Sequence, residues 1–198
     1  MDAKQKDKRV KNGAKTYKKL TSVATKMFSE LGYANTYTSE IAKKAGVTRG
    51  ALYHHFPQKK DLFVAVFDEV MNDLSSRIIF DFPRPLKKED LITSTLSFID
   101  AGIDSVIQNI IFTDGPTVFG MPQWREYDKE HLTKPLETLF EQLIDDKVIK
   151  PLPIDAIAHI MAGATNESVR WISNSNNPKQ AYEKIKKGLV LLYESFWV

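Results

Sequence analysis

Apolar side chains first organise the chain at Tyr17. Tyr17, Leu20, Ala24, Met27, Phe28 and Leu31 recur at helical spacing and fall on one face. Gly32 stands where a C-cap is expected. Thr38 is placed to cap a short helix over residues 39–44, with Glu40 in its positive first turn and Ile41, Ala42 and Ala45 as its buried face. Gly46 supplies a turn, and Thr48 is placed to cap a second short helix, Arg49 to His55, which Pro57 stops. Helix, short glycine-containing turn and helix together predict a helix-turn-helix. A longer stripe follows from about Lys59 to Ile79, made of Leu62, Phe63, Val66, Phe67, Val70, Met71, Leu74 and Ile78.

Phe82-Pro83-Arg84-Pro85 interrupts this pattern, and the remainder is again helical in period. Helices are expected near Glu89–Asn109, Gln123–Asp146, Ile154–Ser173 and Pro178–Trp197. Breakers separate them: Asp114-Gly115-Pro116 with Gly120 and Pro122, Lys150-Pro151-Leu152-Pro153, and Asn174 to Pro178. Neither β alternation nor a fixed-period repeat is present. The predicted class is all-α: an N-terminal three-helix domain with a helix-turn-helix, then a C-terminal antiparallel helical bundle. The expected division is a flexible basic arm over 1–13, the helix-turn-helix domain over 14–60, and a second domain over 61–198.

Composition narrows the function. In 198 residues, 42% are hydrophobic, enough for a real core. The absence of cysteine excludes a disulfide scaffold, a thiolate zinc site and a cysteine nucleophile. The longest stretch without a charged residue, Ala156 to Asn166, is far short of a membrane span. The Lys-rich start has no apolar segment behind it, so no secretory leader and a cytoplasmic location are expected. Charge is unevenly spread. The first 60 residues hold 14 of the 28 Lys and Arg but only 4 of the 25 Asp and Glu. That asymmetry points to a polyanion as partner of the first part alone.

The stretch TSEIAKKAGVTRGALYHHFPQKKDL, residues 38–62, closely resembles the DNA-binding signature of TetR-family transcriptional regulators. The resemblance rests on Ile41, Ala42, Ala45, Gly46, Val47, Thr48, Gly50, Leu52, Tyr53, His55, Phe56, Lys59 and Leu62. Phe28-Ser29-Glu30-Leu31-Gly32-Tyr33 is similar to the end of the family's first helix. Two positions depart from the pattern. Thr48 stands where serine is commoner, and Gln58 replaces a common capping serine, which weakens the expected cap of the fourth helix.

A recognition helix puts its N-terminal turns into the major groove. Thr48 would leave a positive helix end toward phosphate, and Gly50 lets the backbone come close. With Leu52 and Phe56 facing inward, Arg49, Ala51, Tyr53 and His54 face out. Arg49 is suited to read guanine O6 and N7 together, or to hold a phosphate. The resemblance implies phosphate contacts for Tyr53 and His54, either of which could instead be a satisfied core or surface residue, and a packing or capping role for His55. Lys59, at the start of the fourth helix, and Thr38 complete the expected DNA-binding set as backbone contacts.

The C-terminal resemblance is looser and covers the family's ligand-binding and dimerisation domain. IFTDGPTVFGMPQWREYD, residues 111–128, is similar to a segment of one subgroup. Phe98, Phe112, Asp114, Trp124, Tyr127, His131, Asn166, Glu167 and Trp171 are the candidates for an effector pocket, taken as mostly apolar with a few polar groups. The expected partners are a palindromic double-stranded operator, a second copy docked through the last two helices, and a small apolar or aromatic effector. No cofactor, metal or catalytic residue is expected. The histidines (His54, His55, His131, His159) form no metal motif, and no nucleophile or phosphate-loop motif occurs. The resemblance implies a repressor released when effector binding tilts the fourth helix. An activator, a regulator without an effector, and more remotely a membrane-surface or scaffold protein with a basic arm remain open at this point.

Overall fold

The computed structural model describes the backbone from Ala3 to Val198 and the side chains from Asn12 onward. The described residues form nine helices: α1 (Ala3–Asn35), α2 (Thr38–Ala45), α3 (Arg49–His55), α4 (Lys59–Arg77), α5 (Lys88–Gly102), α6 (105–119), α7 (121–145), α8 (Ile154–Ser173) and α9 (Pro178–Glu194). None of them is long and apolar enough to cross a membrane. The all-α class expected from the periodicity is observed.

The stretch expected to be a flexible arm is instead helical from Ala3, continuous with α1. Its alanine, lysine and glutamine residues favour helix, so the backbone continues upstream of the amphipathic stripe. The parts of that expectation that concern residues 1 and 2, and the side chains of residues 3–11, lie outside the described residues. Downstream, Leu20, Ala24, Met27 and Phe28 are buried as the stripe predicts, whereas Leu31 reaches the surface. Gly32 breaks α1 with φ 78° and ψ 161°, a conformation that β-carbon sterics discourage, and one further helical turn ends at Asn35.

Helices α1 to α3 close around Leu20, Ile41, Ala42, Leu52 and Phe56. The N-terminal part of α4 seals this core with Leu62 and Phe63, and its later turns bury Phe67, Val70, Met71 and Leu74. A single continuous helix therefore belongs to both halves of the molecule. Asp61 Oδ2 accepts the backbone N–H of Gln58 at 2.7 Å, so α4 keeps a bonded N-terminus despite lacking the usual serine.

The helix expected over 89–109 is split. α5 ends at Gly102, and Asp104 caps α6, its Oδ1 accepting from Val106 N at 2.9 Å and Ile107 N at 3.4 Å. α6 and α7 each contain a wide, π-type stretch, at Gln108–Asp114 and Lys129–Thr133, and Gly120 (φ 78°) separates the two helices. α8 packs against α5, α7 and α9. Thr95 on α5 and Tyr193 on α9 join through buried hydroxyls 2.6 Å apart. After α7, Lys150 N donates to Phe196 O at 2.9 Å, within an antiparallel bridge between Ile149 and Trp197. Asp146 holds the α4–α5 connection, accepting from Leu86 N at 2.7 Å and pairing with Arg84 at 2.6 Å.

Candidate nucleic-acid interface

Gly46 takes the left-handed conformation (φ 65°, ψ 37°) that turns the chain from α2 toward α3, and its N–H returns to Lys43 O and Ala42 O. Thr48 then caps α3, its hydroxyl accepting Ala51 N at 3.1 Å. Leu52 and Phe56 are buried, which fixes the rotation of α3 about its axis. Thr48, Arg49, Gly50, Tyr53 and His54 are exposed on the opposite side, and Ala51 is half-buried beside them. His55 is also half-buried, 6.3 Å from the ring of Tyr17.

Thr38 does not cap α2. Tyr37 occupies the N-cap position and Thr38 is the first helical residue. Its side chain has another partner: Oγ1 lies 3.1 Å from the Tyr53 hydroxyl. That bond, with Arg49 next in effect, lowers the phenol's pKa. The Arg49 guanidinium is 6.0 Å from the Tyr53 ring, within cation–π range. Tyr37, which the sequence pattern does not single out, is 64% exposed beside this cluster.

Lys59 begins α4 but is half-buried. Its Nζ lies 4.2 Å from the Tyr33 ring and donates to Ala34 O at 3.4 Å. Burial lowers its pKa, and nearby Asp114 opposes that shift.

The nominated effector residues do not share one pocket. Trp124 and Asn166 line a cavity of about 590 Å³ between α7 and α8. Phe98 and Asn166 line a crevice of about 30 Å³ beside it. Phe112 lies in the core between Phe98 and Trp124, at 6.0 and 6.5 Å. The others are elsewhere. Asp114 accepts the Tyr33 backbone N–H at 2.7 Å, bonding α6 to the broken end of α1. Tyr127 packs on Phe67 (4.9 Å) and Phe119 (5.4 Å). His131 Nδ1 is 3.2 Å from Ser75 Oγ on α4. Glu167 pairs with Arg170 at the surface, and Trp171 is 46% exposed. Aromatic residues at helical spacing have gone into the core or onto the outer face, as helical stripes do.

The walls of the larger cavity are more polar than the sequence suggested. Arg125, Asp128, Lys129, Asp155 and His159 contribute to it, none of which was nominated. Asp128 is buried, and that burial raises its pKa against the opposing bonds from Asn166 and Thr133.

Three contacts tie α1 and α4 to the helices that follow. Asn109 Nδ2 donates to Ser29 O at 2.8 Å, adding to the Asp114–Tyr33 bond. Tyr127 lies on the same helix as the cavity-lining Trp124 and Asp128, and its ring rests on Phe67 of α4.

Residues 20–66 match the family described as bacterial regulatory proteins, tetR family, and residues 89–196 match the tetracyclin repressor-like C-terminal domain. The chain is 26% identical over 159 residues to the Transposon Tn10 TetC protein of Escherichia coli, spanning 77% of each. A TetR-family transcriptional regulator from Pectobacterium atrosepticum superposes with a TM-score of 0.79 at 27% identity, over 94% of this chain and 96% of that one. The structure of AibR with isovaleryl coenzyme A and operator DNA superposes with a TM-score of 0.66 at 23% identity, over 89% and 97%. This last likeness is one of fold.

Proposed function

Because the chain belongs to the TetR family and is a DNA-binding transcriptional regulator, we propose that it works as a homodimeric repressor whose hold on a palindromic operator is released by a small molecule. The observation that carries this reading is the continuity of α4. Phe63 lies in the DNA-binding core, and one turn later Phe67 lies under Tyr127, on the helix that walls the cavity. A ligand that displaces Trp124 or Asp128 moves Tyr127, and with it the lever that carries α3. Two recognition helices reading half-sites one turn apart must stand about 34–36 Å from each other, so a displacement of a few ångströms spoils simultaneous docking.

Within this reading Arg49 is the base reader, and Thr38, Thr48, Gly50, Ala51, Tyr53, His54 and Lys59 position the backbone. The second copy docks on α8 and α9, which leave Ile160, Trp171, Leu191 and Leu192 exposed. AibR is bound to an acyl-coenzyme A in its structure, which supports an effector-responsive C-terminal domain here without naming its ligand. Acting on chromosomal DNA, the protein works in the cytoplasm.

The test is sequencing of genomic fragments bound by the purified protein, with and without candidate effectors. Enrichment of a short palindrome, lost when an effector is added, is the expected outcome. Binding without sequence enrichment would overturn the reading.

A further inference from the structure

Asn166 donates from Nδ2 to Asp128 Oδ1 at 2.9 Å, and Thr133 Oγ1 donates to the other carboxylate oxygen at 3.5 Å. A carboxylate receiving two donors accepts and does not donate, so it fixes the Asn166 amide with nitrogen toward Asp128 and oxygen away. Asn166 is 5% exposed, and its Oδ1 finds no hydrogen-bond donor among the described residues. A buried amide oxygen left without a donor is costly, and such atoms are rare in folded proteins.

The position of this atom is informative. Asn166 and Ala162 both belong to the wall of the 590 Å³ cavity and to that of the 30 Å³ crevice. The first space has walls of mixed polarity and carries charges of both signs, Arg125 and Lys129 as well as Glu137 and Asp155, so it selects no net ligand charge. The second is lined by Phe98, Leu132 and Leu136 among others and has room for one or two methyl-sized groups, on the scale where a water takes about 10–15 Å³. The residue that carries the unpaired acceptor thus lines both a space of mixed polarity and a small apolar one.

We propose that this site takes an amphiphile whose O–H or N–H group donates to Asn166 Oδ1 and whose short aliphatic substituent enters the crevice. The proposal rests on the effector-regulated reading above and specifies the chemistry of its ligand. It narrows the expectation of a small apolar or aromatic effector to a donor-bearing aliphatic molecule.

The probes are 1-propanol, whose ethyl end matches the crevice, and its isomer ethyl methyl ether, which share a formula and differ in the O–H donor. The full chain, carrying ¹³C-methyl labels at methionine and alanine, is titrated with each. The alcohol is expected to shift the Met121 and Ala162 methyl resonances and to bind on the order of three- to tenfold more tightly than the ether. Asn166→Leu should abolish that difference. Asp128→Asn supplies a residue that can donate, which lets the Asn166 amide turn round, and should narrow or reverse the preference. Equal binding of the two isomers to the unaltered protein, shifts confined to other methyls, or selectivity that persists in Asn166→Leu would each overturn the proposal. If Asn166→Leu does not fold, Asn166→Ala serves in its place, persisting selectivity again overturning the proposal. Operator binding of the unaltered protein is measured in parallel. Intact DNA binding with no cavity shifts refutes this ligand assignment only, whereas loss of sequence-specific DNA binding refutes the regulator itself.

Discussion

The Tyr53 hydroxyl lies 3.1 Å from the hydroxyl of Thr38, joining the first residue of α2 to the exposed face of α3. The two helices otherwise bury their inward faces, Ile41 and Ala42 on one and Leu52 on the other, in a shared core. This bond adds a constraint on the outer side, where DNA would lie. Tyr53→Phe and Thr38→Val should each weaken operator binding by about three- to tenfold, alike on matched and mismatched sites, because orientation rather than base reading is lost. The double substitution should cost little more than either alone, since both remove one bond. Fluorescence anisotropy with the four proteins checks this; additive losses would show that the residues act separately.

Arg49 and Lys59 should separate base reading from phosphate holding. Arg49→Ala is expected to relax preference at one position per half-site, costing about 1–3 kcal/mol if the contact is bidentate. Lys59→Ala should weaken binding to all sequences and lower the salt slope by about one phosphate contact. Titrations at several salt concentrations on matched and mutated sites distinguish the two.

The Asp114 carboxylate gives a direct handle on the junction between the domains. Asp114→Ala removes the acceptor for Tyr33 N and should lower stability by about 1–3 kcal/mol. Asp114→Asn retains an acceptor oxygen and should recover most of that loss. Thermal unfolding of both variants is the measurement, and equal stability of the two would contradict the role assigned to this bond.

Gly115 should not tolerate a methyl group. A β-carbon there would stand 2.8 Å from Phe67 Cε2 and 3.0 Å from Trp124 Cδ1, and Ile110 O on its own helix is 3.3 Å away. Gly115→Ala is expected to cost about 1–3 kcal/mol by overpacking. Because Phe67 is on α4, operator affinity should change as well, which calorimetry and DNA titration on the same sample would show.

Buried Asp128 sets a pH dependence of definite sign. Desolvation raises its pKa on folding, so the folded state holds this proton more tightly than the unfolded one. Its contribution to stability is complete below the ordinary carboxylate range and is lost as pH rises through the raised value. Asp128→Asn should therefore gain stability over the unaltered protein as the pH is raised to neutrality, and the gain should shrink on acidification. Melting temperatures across that pH range give the comparison.

The DNA-binding half was largely legible because its constraints are local. Thr48 caps the helix it precedes, Gly46 turns where it stands, and Leu52 and Phe56 are four residues apart on one face. The effector half was less so. The split at Ile103–Asp104 is hidden because apolar residues continue past it at Val106, Ile107 and Ile110. The role of Asp114 depends on Tyr33, a partner 81 positions away, which no periodicity reveals. Aromatic content suggested an apolar pocket, but Phe98 and Phe112 mostly fill the core, while the larger cavity takes its character from Arg125, Asp128 and Lys129, three and four residues apart on α7. That spacing was the available signal.

The shared helix α4 has a consequence for the cell as much as for the molecule. Coupling between two equilibria is reciprocal: whatever factor a ligand takes from operator affinity, the operator takes from ligand affinity. Protein already seated on DNA is then the poorest ligand trap, and protein free of DNA is the best. A small rise in effector would be absorbed first by the unbound pool. The threshold of induction would accordingly scale with the amount of protein made in excess of its operators, so expression level would tune sensitivity without any change in the site.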